Sequence, residues 1–457
     1  MSKSILLARI QGMFIFIIAL VILFQQLFNS SNPMPSMILY GSITMVLLLF
    51  PTIKKAALII SIIMLVLGHI LFFYYQLSFD VWKSAVSINL GLISLFAFVP
   101  MLIIPISVGG YLYSIEEELK RFHSKPKYVF VLLSFLTFLL GSVVNLAIIR
   151  VLYPLFKKTN LSPERLGKAM YTGFISTNVW SPYFASVAII LHFMELPYTT
   201  LGPFLLTLAV LHFVFGNIVV LFILKKDNNL KLPEEMALQL ERMNSQRKKV
   251  IQLIVIMSGI FIFLFILEKA TGQKMTVLVS IMGLIGSIVW LLFLREVMKL
   301  KEHLSTYISY SLPKIANELS LFVSAGFFGI VVMSTPVNLL INNFINTIAD
   351  KVSLVFLIGI LILLPVVLAC IGVHQIVSVT LLATSISPEN IGLTTLSYGV
   401  LLAAAWCHSS AASSFSPLNL TLGSVLNKSS FKVGIGSNYL FFLGTLLITI
   451  SFVYLIR

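Results

Sequence analysis

Hydroxyls and amides set beside a helix-breaking proline, inside segments greasy enough to cross a bilayer, are the residues of this chain best suited to bind a ligand. Two stretches have that character. They are Ser176-Thr177-Asn178-Val179-Trp180-Ser181-Pro182 and Ser409-Ser410-Ala411-Ala412-Ser413-Ser414-Phe415-Ser416-Pro417-Leu418-Asn419. Their Ser-Pro pairs stand 235 positions apart, at 181 and 416. Proline removes a backbone donor and clashes with the preceding turn, so the carbonyls freed there need partners that lipid does not supply. Such carbonyls, with Ser, Thr and Asn oxygens, suit a small cation, while the half-helix that follows presents about half a positive charge to an anion.

The candidate substrate-binding residues of the first break are Ser176, Thr177, Asn178 and Ser181, with Pro182 as the breaker. Those of the second are His408, Ser413, Ser414, Ser416 and Asn419, with Pro417 as the breaker. Two further polar interruptions, Gly141-Ser142-Val143-Val144-Asn145 and Gly372-Val373-His374-Gln375, add Ser142, Asn145, His374 and Gln375. A sodium ion would sit near Ser142, Asn145, Ser181 and Ser416. His374 and His408, as neutral imidazoles, suit substrate binding or proton relay, or plain hydrogen bonding in a polar interior. His69, His192 and His212 stand singly on apolar helices and read as packing. An isolated serine in a membrane helix commonly does no more than pack, with a hydrogen bond between helices averaging about 0.6 kcal/mol. Two clusters, each with its own proline, call for a use.

The elements that must position these residues follow from composition. Hydrophobic residues make up 58% of the 457, charged ones only 10%, and apolar runs of about 20 residues recur from end to end. The fold class is therefore an all-α polytopic membrane protein. Cys370 and Cys407 both lie in apolar stretches, which excludes a disulfide framework or a cysteine-rich metal site. Crossings are expected near 11–29, 36–50, 56–75, 84–108, 169–194, 199–224, 250–268, 275–294, 314–334, 391–425 and 433–456.

The net charge of +15 would suggest nucleic acid in a soluble chain, but its distribution argues otherwise. With the N-terminus in the cytoplasm, only Lys83, Lys269, Lys274, Lys351 and Arg457 of the 31 basic residues fall outside. That bias orients the chain, with a cytoplasmic N-terminus and an external C-terminus in the cell membrane, and no nucleic-acid partner is expected.

A strongly polar stretch, 225–249, splits the chain. Residues 1–33 form an extra N-terminal helix, 34–224 a first unit and 250–457 a second. A long apolar run lies between Glu116-Glu117-Glu118-Leu119-Lys120-Arg121 and the residues Arg150, Lys157 and Lys158, and basic residues at both its ends imply a hairpin that enters and leaves on the cytoplasmic face. The apolar run 352–384, bounded by polar residues, implies an outward hairpin. Leu161-Ser162-Pro163-Glu164 and Ile386-Ser387-Pro388-Glu389 each follow a hairpin and introduce a broken helix. Two units of five crossings, an odd number, must sit inverted in the membrane.

This arrangement resembles the ion transporter superfamily, most nearly the divalent anion/sodium symporters. Members have an extra helix and two inverted five-helix repeats, each with a re-entrant hairpin and a broken helix. Their hairpin tips carry a Ser-Asn-Thr triplet, and their second broken helix a Pro followed shortly by Asn. Here the first tip keeps Ser142 and Asn145, the second has His374 and Gln375, and Ser416, Pro417 and Asn419 follow the broken-helix pattern. The resemblance implies a homodimer.

No G-x-x-x-x-G-K-[ST] pattern occurs and no soluble segment could house an ATPase, so transport would draw on a gradient. The expected function is a secondary transporter, not an enzyme, moving a small anionic metabolite such as a carboxylate with sodium ions or protons. It needs no other cofactor, and its partners are the small-molecule substrate and the lipid bilayer. The alternative is a membrane enzyme or envelope-assembly component acting on a lipid-linked or polymeric substrate.

Overall fold

A chain in lipid must satisfy every backbone group within itself, and long apolar runs do so as helices. The computed structural model describes residues 3–28, 36–121, 126–159, 161–224, 246–296, 298 and 300–457, and every regular element among them is helical. Ten helices of the described residues are long and apolar enough to cross a membrane, so this is a multi-pass membrane protein. The ten include 126–144 as a span in its own right and do not include 36–50 or 391–425.

The chain opens with α1 (Lys3–Phe28), α2 (Ser36–Leu49) and α3 (Lys55–Tyr74). The crossing expected over 84–108 is in three pieces, α4 (Phe79–Ser87), α5 (Leu92–Phe98) and α6 (Ile103–Val108). Amphipathic α7 (Tyr111–Arg121) follows, then the pair α8 (Pro126–Val144) and α9 (Ala147–Phe156). An interrupted helix, α10 (Pro163–Trp180) with α11 (Ala185–Met194), and then α12 (Tyr198–Leu224) close the first half. Most of the 225–249 linker lies outside the described residues.

In the second half come α13 (Arg247–Thr271) and then α14 (Met275–Ile281) and α15 (Ser287–Phe293). Its third crossing starts earlier than expected, at α16 (Leu300–Thr306). It passes through a widened turn at Tyr307–Ser311 and continues as α17 (Ala316–Met333). Amphipathic α18 (Val337–Ala349), the pair α19 (Leu354–Cys370) and α20 (Gln375–Ser385), and a second interrupted helix, α21 (Thr395–Ala412) with α22 (Pro417–Leu426), lead to α23 (Ser437–Leu455). The same order of element types thus runs through both halves.

Packing places the polar breaks inside. Within its most apolar stretch the α10–α11 span is 89% buried, against 17% for α3 and α13, and an interior position is where membrane proteins tolerate polar side chains. α10 lies along α8 and α21 along α19, while α10 and α21 pack on each other. Gly173 makes the α8–α10 approach possible, because a Cβ there would lie 2.3 Å from the Ser134 carbonyl oxygen. These helices, with α12 and α23, form one group. The remaining helices are centred on α3, α4 and α17, and contacts between the two groups include α17–α20, α12–α13 and α8–α13.

Candidate functional site

The two interrupted helices match position by position. α10 and α21 have 18 residues each, α11 and α22 have 10 each, and the breaks span 181–184 and 413–416. Each first segment is capped by a hydroxyl, Ser162 accepting from the Arg165 amide and Thr394 from the Ser397 amide. Each second segment ends on a left-handed residue, Glu195 at φ 53° and Asn427 at φ 52°. The register between them is 232 residues.

In that register the counterpart of Ser181 is Ser413, not Ser416. The Ser181 hydroxyl donates to the Ser142 carbonyl at 2.6 Å and accepts from the Tyr183 amide at 3.2 Å. The Ser413 hydroxyl donates to the Ala369 carbonyl at 2.6 Å and accepts from the Phe415 amide at 3.1 Å. Each serine therefore ties the broken end of its helix to the end of the neighbouring helix pair. The prolines are not equivalent: Pro182 lies inside its break, whereas Pro417 is the first residue of α22, where the missing amide proton costs nothing.

Across the packed helices, equivalent positions touch. Cys407 donates to the Ile175 carbonyl at 3.2 Å, and the Asn178 amide donates to the Ser410 hydroxyl at 3.3 Å. Gln375, first residue of α20, donates to the same hydroxyl at 3.2 Å. The Ser186 hydroxyl reaches both the carbonyl and the side-chain oxygen of Asn178, at 2.9 and 3.1 Å. All four residues are buried, so this cluster gathers both breaks and the second helix-pair turn in one polar contact.

The surroundings of the two breaks differ. Ser416 caps α22 by accepting from the Asn419 amide at 3.2 Å, His374 caps α20 at Ile376, and Asn145 accepts from Leu146 ahead of α9. α11 instead begins at Phe184, which offers no side-chain cap. Beside it, the Trp180 indole nitrogen and the Tyr183 hydroxyl are buried without a partner among the described residues. Their rings pack on Phe261 of α13, at centroid distances of 4.7 and 5.6 Å. The first break thus holds unused donors, while beside the second the Asn419 side-chain oxygen, an acceptor, is buried without a partner among the described residues.

The other expected site residues have various fates. Ser142 offers its carbonyl to the site, its hydroxyl returning to the Leu139 carbonyl, and Asn145 forms the left-handed turn between α8 and α9 at φ 58°. Thr177 ties α10 to α8 through the Phe138 carbonyl at 2.8 Å. The Ser176 hydroxyl is buried and free of protein partners among the described residues, and Ser414 is half-buried in its break. Of the four residues proposed for sodium, Ser142 and Ser181 are in contact, while Asn145 accepts from the Leu146 amide in its own turn and Ser416 caps α22.

Asn419 and His408 have helix contacts of their own. The Asn419 amide group donates to the carbonyls of Ala411 at 3.0 Å and Ser413 at 2.9 Å, closing the end of α21. His408 points away from the break, because it is two residues before Ser410 and so about 200° around the helix. Its Nδ1 donates to the Ala404 carbonyl at 2.8 Å, and its ring meets His212 and Phe442 at 5.7 and 5.5 Å. Ser186, Tyr183 and Ser410 enter the site unannounced by any motif, although Ser410 lies in the polar stretch that marks the second break. No protein-family model matches the chain, and no curated protein matches it.

Proposed function

We propose that this chain is a secondary transporter of a small anionic metabolite, such as a carboxylate, driven by a sodium or proton gradient. The observation that carries the reading is the contact of Asn178, Ser410 and Gln375, where two breaks and a helix-pair turn meet in the buried interior. Buried polar side chains at paired helix breaks are costly in a membrane and are characteristic of a transport pathway. The uncapped start of α11, with the donors of Trp180 and Tyr183 beside it, favours an anion.

On this reading the halves are inverted repeats, α8–α9 and α19–α20 are re-entrant hairpins, and the N-terminus is cytoplasmic with the C-terminus outside. The chain then belongs with the ion transporter superfamily, nearest the divalent anion/sodium symporters, and works as a dimer. The group containing both interrupted helices moves against the group centred on α3, α4 and α17. Uptake of radiolabelled mono- and dicarboxylates into proteoliposomes, with and without sodium and pH gradients, tests this. Accumulation under one gradient and its loss in Ser410→Ala supports the reading; vesicles silent to the whole panel under both gradients refute it.

A further inference from the structure

Each charge of an anion buried in a membrane protein needs unpaired donors of its own, and four half-helices, α9, α11, α20 and α22, begin at the polar breaks. Three of those beginnings are already provided for. Asn145 accepts from the amides of Leu146 and Ile148 ahead of α9, His374 from those of Ile376 and Val377 at α20, and Ser416 from those of Asn419 and Leu420 at α22. α11 is the exception. It has no side-chain cap, and the amides of Ala185, Ser186 and Val187 have no acceptor among the described residues.

This open start belongs to the site. Ser186, in the first turn of α11, bonds to Asn178, the residue that reaches Ser410. Trp180 and Tyr183 flank Ser181-Pro182 and are only 6% and 2% exposed, with the indole N–H and the phenol hydroxyl unpaired among the described residues. Their counterparts 232 residues on, Ala412 and Phe415, carry no such donor. Both rings pack on Phe261, and Trp180 also meets Phe138 at 5.7 Å, so the donors have aromatic surroundings. No Lys or Arg occurs within 169–194 or 352–427. A second negative charge would therefore lie buried without a partner, at heavy cost.

We propose that the first break binds one carboxylate, and that the substrate is a monocarboxylate with an apolar or aromatic body rather than a dicarboxylate. The start of α11 and the donors of Trp180 and Tyr183 take the carboxylate, while the rings of Trp180, Phe138 and Phe261 take the body. Phe261 belongs to the other helix group, so the movement proposed above uncovers the donors. The inference rests on the transporter reading and narrows its substrate, but its test reads binding.

The experiment is equilibrium dialysis of the purified protein against radiolabelled benzoate, with unlabelled hexanoate, terephthalate, adipate and benzamide as competitors. Benzoate is expected to bind and hexanoate to displace it, terephthalate and adipate to compete at least about ten-fold more weakly, and neutral benzamide not to compete. Trp180→Phe with Tyr183→Phe keeps both rings, removes both donors and lowers benzoate affinity about ten-fold or more. The competitor series uses the unaltered chain and decides the proposal even where the double variant fails to fold. Absence of benzoate binding overturns it. Dicarboxylates that compete as well as benzoate, or an affinity indifferent to both donors, overturn the single-carboxylate site and leave carboxylate transport standing. The expected binding pattern in a protein whose vesicles accumulate no carboxylate keeps the site and removes the transport reading.

Discussion

Asn178 and Ser410 occupy equivalent positions of two helices and hydrogen-bond to each other, amide to hydroxyl, at 3.3 Å. Neither residue type matches the other, yet the register of 232 brings them together at the line where α10 and α21 pack. Gln375 donates to the same hydroxyl, so Ser410 joins the first break to the second helix-pair turn.

If the chain transports as proposed, Ser410→Ala should lower uptake by about ten-fold or more, while the protein still elutes as a single species. A double-mutant cycle with Asn178→Ala should give a coupling energy near 0.6 kcal/mol and below about 1.7 kcal/mol, the range for hydrogen bonds between membrane helices. Unfolding in detergent, followed by tryptophan fluorescence, provides the stability half of the cycle. Zero coupling would show that the contact is incidental.

Ser413→Ala should behave like Ser181→Ala, each losing a tie between break and helix pair worth about 1 kcal/mol. Ser416→Ala should differ, since that residue caps α22; its loss of about 1 kcal/mol falls on the cap alone. Cysteine accessibility at the α19–α20 turn separates the cases, rising in Ser413→Ala and staying level in Ser416→Ala.

That distinction marks what was legible in the chain. The apolar runs, the two breaks and both helix-pair turns were readable, because proline and polar residues stand out against lipid-facing sequence. The register was not, since Pro182 and Pro417 invite alignment of residues whose backbone positions differ by three. The features that set the true register are caps, and Ser162 with Thr394, or Glu195 with Asn427, share a conformation rather than an identity. His408 shows a related effect: two residues from Ser410 in sequence, it lies on the opposite face of the helix.

Asn419 should prove structural. Asn419→Ala removes the donor that holds the Ala411 and Ser413 carbonyls, at a cost of about 1–3 kcal/mol, and Asn419→Asp should cost more because a carboxylate would face those carbonyls. Gly434→Ala should reproduce the loss from the other side, since its Cβ would lie 2.5 Å from the Asn419 amide nitrogen. Thermal melting of the purified variants checks all three.

Glu268→Ala should leave the amides of Tyr198 and Thr199 without their acceptor and lower stability by about 1–3 kcal/mol. Glu268→Gln, which keeps one acceptor oxygen, should recover part of it. If α12 moves against α13 during transport, both variants should also change the reactivity of a cysteine placed at Ser87, which lines the same cavity as Glu268; a purely local cap would leave it unaltered.

The matched lengths of the two interrupted helices also govern which insertions the chain can bear. One residue added outside α10, α11, α21 and α22 leaves the match between the two interrupted helices intact. One residue added within α10, ahead of Asn178, turns everything beyond it by about 100°. Asn178 would swing away from Ser410, and Ser181 from the Ser142 carbonyl, in a single stroke. The 18-residue segment before each break thus acts as a ruler, and an insertion there should disable both halves together.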